Sequence, residues 1–200
     1  MSRLRLTATF GVMLSVVLMS GCATMFVDTG LKDVTASEYM KPPEPKPVQL
    51  LFNFQTKGAA NARATKFLTD EVTHAVQSSG LFSSVSTQPV TGGSLLSVVI
   101  DNIPVTEDAF SKGFTTGLTF GLAGNTVTDG YVCTVDYSAA AGSQPIQVKT
   151  RHAIHTNVGA KKAPEHAVQA KSPEEAVKTM ARQIVGNGLK DLSNDPRFLQ

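Results

Sequence analysis

The chain has 200 residues, with 42 % hydrophobic and 17 % charged side chains, 16 glycines and no tryptophan. Eighteen basic residues stand against 16 acidic ones, and two of the basic ones, Arg3 and Arg5, fall in an N-terminal stretch that reads as an export signal. The remainder balances at zero, which allows one ordinary core and gives no electrostatic ground for binding nucleic acid.

Met1 to Arg5 is a short positive region, and Leu6 to Met19 is an apolar stretch interrupted only by Thr7, Thr9, Gly11 and Ser15. That stretch is short for a permanent transmembrane helix and well sized for a signal-peptide core. Met19-Ser20-Gly21-Cys22 follows, with small residues at the two positions before the cysteine. This run resembles the bacterial lipobox, although Met19 stands where that family most often has Leu. The resemblance implies that residues 1–21 are a signal peptide cut before Cys22, whose thiol takes a diacylglyceryl group, with a further palmitate-type chain on the new amino group. Two or three chains anchor a protein stably where one does not. Ala23 in place of Asp after Cys22 implies, by the same resemblance, an outer-membrane lipoprotein whose domain faces the periplasm.

With Cys22 consumed by lipid, Cys133 has no partner for an intramolecular disulfide. In Tyr131-Val132-Cys133-Thr134-Val135-Asp136-Tyr137 alternation places it with the apolar set, as a buried small hydrophobe.

Residues 22–47 read as the lipidated cysteine and a tether. Sustained periodicity is lacking after residue 23, and the stretch ends in Lys41-Pro42-Pro43-Glu44-Pro45-Lys46-Pro47. Such a proline run favours polyproline II and makes a stiff spacer of about 19 Å. Met25-Phe26-Val27, so close to the lipid, reads as interfacial contact rather than core.

Residues 48–200 read as a single periplasmic domain. Val48 to Phe54 alternates as a strand, with Leu50, Phe52 and Phe54 on one side and Gln49 and Asn53 on the other. From Asn61 to Ser79 the period becomes helical, through Ala64, Phe67, Leu68, Val72, Ala75 and Val76, and Gly80 is the stop. Short and long strands follow at 81–87 and 95–103, the second strongly apolar and ended by Pro104. Tyr131 to Ala139 and Ile146 to Thr156 form a hairpin across Gly142-Ser143-Gln144-Pro145. Ser172-Pro173-Glu174-Glu175 carries the parts of a helix start, and Val177, Met180, Ala181, Ile184, Gly188 and Leu192 trace one face.

The order is β-α-β-β-(glycine-rich insert)-β-β-α, an α+β fold whose economical packing is a two-layer α/β sandwich. In element order over 48–192 it resembles the small periplasmic α/β domains of Tol-system, curli-secretion and exopolysaccharide-export lipoproteins.

The insert, 106–129, holds the least ordinary stretch. Gly113, Gly117 and Gly121 recur every four residues, and Phe110, Phe114, Leu118 and Leu122 recur beside them. As a helix this pairs a glycine groove with an apolar ridge, the packing of small-xxx-small membrane helices. About 13 residues reach only about 20 Å, so the segment does not span a bilayer alone. Interior glycines cost about 1 kcal/mol each relative to alanine, which close contact must offset. Three readings stay open: a packed crossover, a membrane-surface or partner-docking element, and a subunit contribution to a pore.

No cofactor motif is present: the glycines lack the following Lys-Ser/Thr of a phosphate loop and do not open a helix after a strand. His152 and His155, three apart on a strand, point to opposite faces and do not chelate one ion, so no metal site is expected. His74 reads as solvent-facing and His166 as part of a polar loop. Asp101 and Asp136 read as decorating the open face of the sheet. No serine sits in an elbow motif or beside a recognisable histidine. The expectation is a non-enzymatic, lipid-anchored structural or adaptor subunit of an envelope assembly, oligomeric, whose partners are the membrane and an envelope protein or itself. Cys22 carries the anchor, and Gly113, Phe114, Gly117, Leu118, Gly121 and Leu122 form the contact or membrane segment. The rivals are a binding module for a lipid, glycan or peptidoglycan fragment and a minor pore or secretion-channel component.

Overall fold

The computed structural model describes residues 23–104, 126–140, 142–158 and 164–200. In chain order these form β1 (Ala23–Asp28), a 3-10 turn (Ala36–Glu38), β2 (Val48–Thr56), β3 (Ala59–Ala60), α1 (Ala62–Ser79) and β4 (Val85–Ser86). There follow β5 (Ser94–Pro104), β6 (Thr126–Ser138), β7 (Ile146–Val158), β8 (Ala167–Gln169) and α2 (Pro173–Ser193). Among the described residues the strands make one mixed sheet in the order β3-β2-β5-β6-β7-β1-β8, with β4 beside β2.

Both helices start where the local chemistry asks. Asn61 caps α1 by accepting from the Ala64 N–H, and Gly80 ends it in the left-handed region at φ 67°. Ser172 caps α2 through the Glu175 N–H, with Pro173 in the first turn. The Glu175 carboxylate returns to the Lys171 N–H, one residue before the cap.

The helices pack on each other and on one face of the sheet, giving a two-layer α+β arrangement. Leu68, Val72 and Val76 of α1 and Met180, Ile184 and Leu189 of α2 meet Leu50, Leu96, Val98, Ile100, Cys133, Val135 and Ile154 in one core. Parallel β2 and β5 are joined through α1, whereas β5, β6, β7 and β1 run antiparallel in turn. Cys133 lies in this core as the alternation predicts, fully buried, and burial pushes its thiol up to about 12.

The free tether is corrected. Ala23–Asp28 is a strand inside the sheet, paired with β7 on one side and β8 on the other. Phe26 and Val27 are buried rather than interfacial. Residues 29–40 then run along α2: Arg182 bridges Asp33 and, on α1, Glu71, while Asn187 donates to the Lys32 carbonyl. Further on, Lys190 pairs with Glu38 at 2.9 Å and the Met40 N–H donates to the Ser193 hydroxyl. Tyr39 is buried against Gly186, and burial pushes its hydroxyl up to about 12. The proline run does not stand off either, because the Lys46 and Pro47 carbonyls accept from Ser83 and Ser94. Two other boundaries move: the strand expected over 81–87 is only Val85–Ser86, and residues 126–129 of the expected insert belong to β6.

Candidate functional site

The strands define two ends of the sheet about 40 Å apart, from the length of 13-residue β6. At one end β1 begins at Ala23, β5 stops at Pro104, β6 begins at Thr126 and β7 stops at Val158. The register draws these together: Ala23 pairs with Val158, Asn157 with Thr126, and Asp129 with Pro104. Cys22, one residue before β1, and Gly113, Phe114, Gly117, Leu118, Gly121 and Leu122 lie outside the described residues. Both flanks of that glycine segment and the residue after Cys22 nevertheless leave the sheet at the same end.

Near this end the sheet face away from the helices is buried: Phe26, Asp28, Thr128, Ala153, His155 and Asn157 are all shielded. Toward β2 and the far end the same face is open, with Leu51 and Leu95 exposed. Asp28, His155 and Thr128 make a polar chain across three strands: His155 Nε2 lies 3.4 Å from Asp28 Oδ2, and His155 Nδ1 lies 2.9 Å from Thr128 Oγ1. Asp28 also accepts from the Gly30 N–H at 2.6 Å. A hydroxyl, an imidazole and a carboxylate in series resemble a nucleophile set, but Thr128 and His155 line none of four clefts formed by the described residues. The chain ties β1 to β6 and β7, and its carboxylate member, Asp28, also lines the cleft between β1, β8 and α2. Sequence reasoning missed it, since its members are 27 and 127 residues apart.

His152 points to the opposite face, toward α2, as strand alternation predicts. The Ala153 N–H donates to its Nδ1, which puts the proton on Nε2, bonded to Gln183 Oε1 at 2.8 Å. Burial, the largest influence, lowers its affinity for a second proton, and Gln183 partly opposes it. His74 is exposed, and the carbonyl of His166 receives both the N–H and the hydroxyl of Thr29. Asp101 accepts from the Gly58 N–H and Asp136 from Gln147. The two carboxylates share a face but sit opposite Val132 and Ser97 respectively, four residues apart along the strands, or about 13 Å. No group of three His, Cys, Asp or Glu among the described residues is placed to hold a metal ion. No described helix is long and apolar enough to cross a membrane.

Two of the clefts among the described residues flank the sheet ends and the helices. One of about 210 Å³ lies at the far end, between Pro42, Pro43, Lys46 and Arg197, over the ring cluster of Phe82, Tyr137 and Phe198. The other, about 380 Å³, lies between β1, β8 and α2, where Val27, Leu31 and Val168 face Glu175, Thr179 and Gln183.

No protein-family model matches the chain, and no curated protein does. Among solved structures it is similar to the PelC dodecamer from Paraburkholderia phytofirmans, at 10 % identity over 87 % of this chain and 99 % of that one, with a TM-score of 0.39. It is similar as well to the rare lipoprotein B from Shewanella oneidensis, at 11 % identity over 74 % of this chain and 94 % of that one, with a TM-score of 0.36. Likenesses this loose carry no argument about what the chain does.

Proposed function

We propose that the chain is a lipid-anchored, periplasm-facing structural or adaptor subunit of a cell-envelope assembly on the outer membrane. Residues 1–21 are its export signal, Cys22 its anchor, and the segment with Gly113, Phe114, Gly117, Leu118, Gly121 and Leu122 its contact with an envelope partner or a second copy. The observation that supports this reading is the convergence of Ala23, Pro104 and Thr126 on one end of the sheet. The anchor and the glycine segment therefore act on the same side of the domain. Its test is the mass of the lipidated protein in mild detergent, by light scattering after size exclusion, beside a Cys22→Ser form. A defined multimer in the lipidated form is expected, and Gly117→Leu should disperse it without lowering the melting temperature to the same extent. Equal loss of assembly and thermal stability would assign the glycines to internal packing.

A binding module is the second reading, and the cleft over Phe82, Tyr137 and Phe198 favours it. Tilted and edge-to-face rings beside Arg197 and Lys46 offer an apolar floor with hydrogen-bond donors at its rim, the combination that holds a glycan. Monomers in both forms, together with saturable binding of peptidoglycan fragments, would select it.

A further inference from the structure

The anchor end of the sheet carries exposed apolar side chains on its helix-facing side. Val127 is 58 % exposed and Val158 51 %. Register places them in two adjacent rows: Val127, Thr156 and Met25 side by side across β6, β7 and β1, then Val158 beside Ala23 nearer the end. Met25 is half-buried and packs against the core with the rest of its surface. One row further from the end, Asp129 sits on the same face of β6.

The occupant follows from the length of chain between this patch and the anchor, which is nil. Ala23, the covalent neighbour of Cys22, pairs directly with Val158 across a strand spacing of about 4.8 Å. A diacylglyceryl group on that sulfur keeps its glycerol at headgroup depth, and β1, paired on both sides, does not pay out as a leash. Three aliphatic side chains are also far too small a surface for a stable dimer, which needs about 800 Å² per partner.

We propose that this end of the sheet, through Val127, Val158 and Met25, seats directly on the bilayer surface that holds the Cys22 lipid. The inference rests on Cys22 being lipidated, as in the function proposed above. The strands then rise away from the membrane, and the aromatic-floored cleft opens into the periplasm about 40 Å above it. Asp129 bounds the seating to the headgroup region, because a carboxylate resists entry into hydrocarbon.

The test uses the lipidated protein in phosphatidylethanolamine–phosphatidylglycerol vesicles containing doxyl-labelled lipid. An environment-sensitive fluorophore is placed on Val127→Cys, on Val158→Cys and, at the far end, on Leu95→Cys. All three positions are exposed, and Cys133 is buried, so labelling is selective. Quenching by shallow doxyl groups is expected to be at least threefold stronger at 127 and 158 than at 95. Equal, weak quenching at all three sites overturns the seating, provided the mass of the Cys22 peptide shows its lipid. Blue-shifted emission at 127 and 158 that doxyl lipid does not quench overturns it in favour of a protein covering the patch. A Cys22 peptide without lipid overturns the anchor itself and this inference with it.

Discussion

Asp28 and His155 face each other across β1 and β7 at 3.4 Å, each side chain only 1 % exposed. A carboxylate shielded to that degree holds its place through its bonds, here to the imidazole and to the Gly30 N–H. The pair thus fastens β1, the first described strand, to the rest of the sheet. Removing the carboxylate takes an acceptor from the buried imidazole and from the Gly30 amide, at a cost of about 2–3 kcal/mol. Asp28→Ala is therefore expected to lower the urea midpoint and to speed amide exchange in β1 ahead of β5 and β6. Uniform exchange, or an unchanged midpoint, would show that β1 is held by its backbone ladder alone.

Gly188 and Gly186, two residues apart in α2, should answer alanine in opposite ways. A Cβ on Gly188 would stand 2.9 Å from Thr150 Oγ1 and 3.0 Å from Val135 Cγ2, both on strands beneath the helix. The helix sits that close because the residue has no side chain, so Gly188→Ala must push α2 off the sheet. A loss of about 1–3 kcal/mol is expected, larger than the gain of about 1 kcal/mol from helix propensity. At Gly186 the nearest atom is the Tyr39 hydroxyl at 3.3 Å, followed by Val34 at 3.7 Å. The tyrosine oxygen can give by a few tenths of an ångström, so Gly186→Ala should be neutral or slightly stabilising. Thermal melts of the two variants decide it; a stabilised Gly188→Ala would mean the sheet yields there.

What the sequence made legible was local. Asn61 and Gly80, and Ser172 with Pro173, bracket helices because a cap acts within three or four residues of itself. Leu50, Phe54, Leu96, Val98, Cys133 and Val135 alternate cleanly because their strands bury one face. β1 escaped notice because it is six residues long and its partner lies about 130 residues away, Phe26 opposite His155. Nor does alternation survive in β7, where residues 152–155 are buried on both faces and apolar and polar side chains mix. The prolines at 42–47 read as a spacer by composition; only the ladder bonds of Lys46 and Pro47 reveal that they are docked. At the candidate site the lipobox-like run and the glycine spacing are local patterns, whereas the meeting of Ala23, Pro104 and Thr126 at one end of the sheet depends on register between distant strands.

Cys133 gives a direct probe of the core. In a Cys22→Ser form it is the only thiol, fully buried and with its thiolate suppressed by burial. Its reaction with a disulfide reagent should be slower than that of a free thiol by orders of magnitude in native buffer. The rate should then rise with urea in parallel with the loss of circular dichroism, since only unfolding exposes β6. Fast labelling without loss of structure would mean that the sheet opens locally between β6 and the helices.

His152 sets the expected response to acid. Its Nδ1 is already an acceptor for the Ala153 N–H, and burial depresses its folded-state affinity for a proton below the ordinary value near 6.5. Unfolding releases the ring to water, so below pH 6.5 the unfolded chain binds the proton that the folded one refuses. Stability contributed by the neutral ring is therefore complete above the unfolded pKa and falls as pH drops through about 6.5 toward the depressed folded value. The slope from this group is at most one proton, about 1.4 kcal/mol per pH unit. His152→Asn should lower stability at pH 7.5, through the loss of its bond to Gln183, yet flatten the decline between pH 6.5 and 5. Urea titrations of both proteins at several pH values measure the two effects separately. A decline just as steep in the variant would show that His152 does not set the acid response.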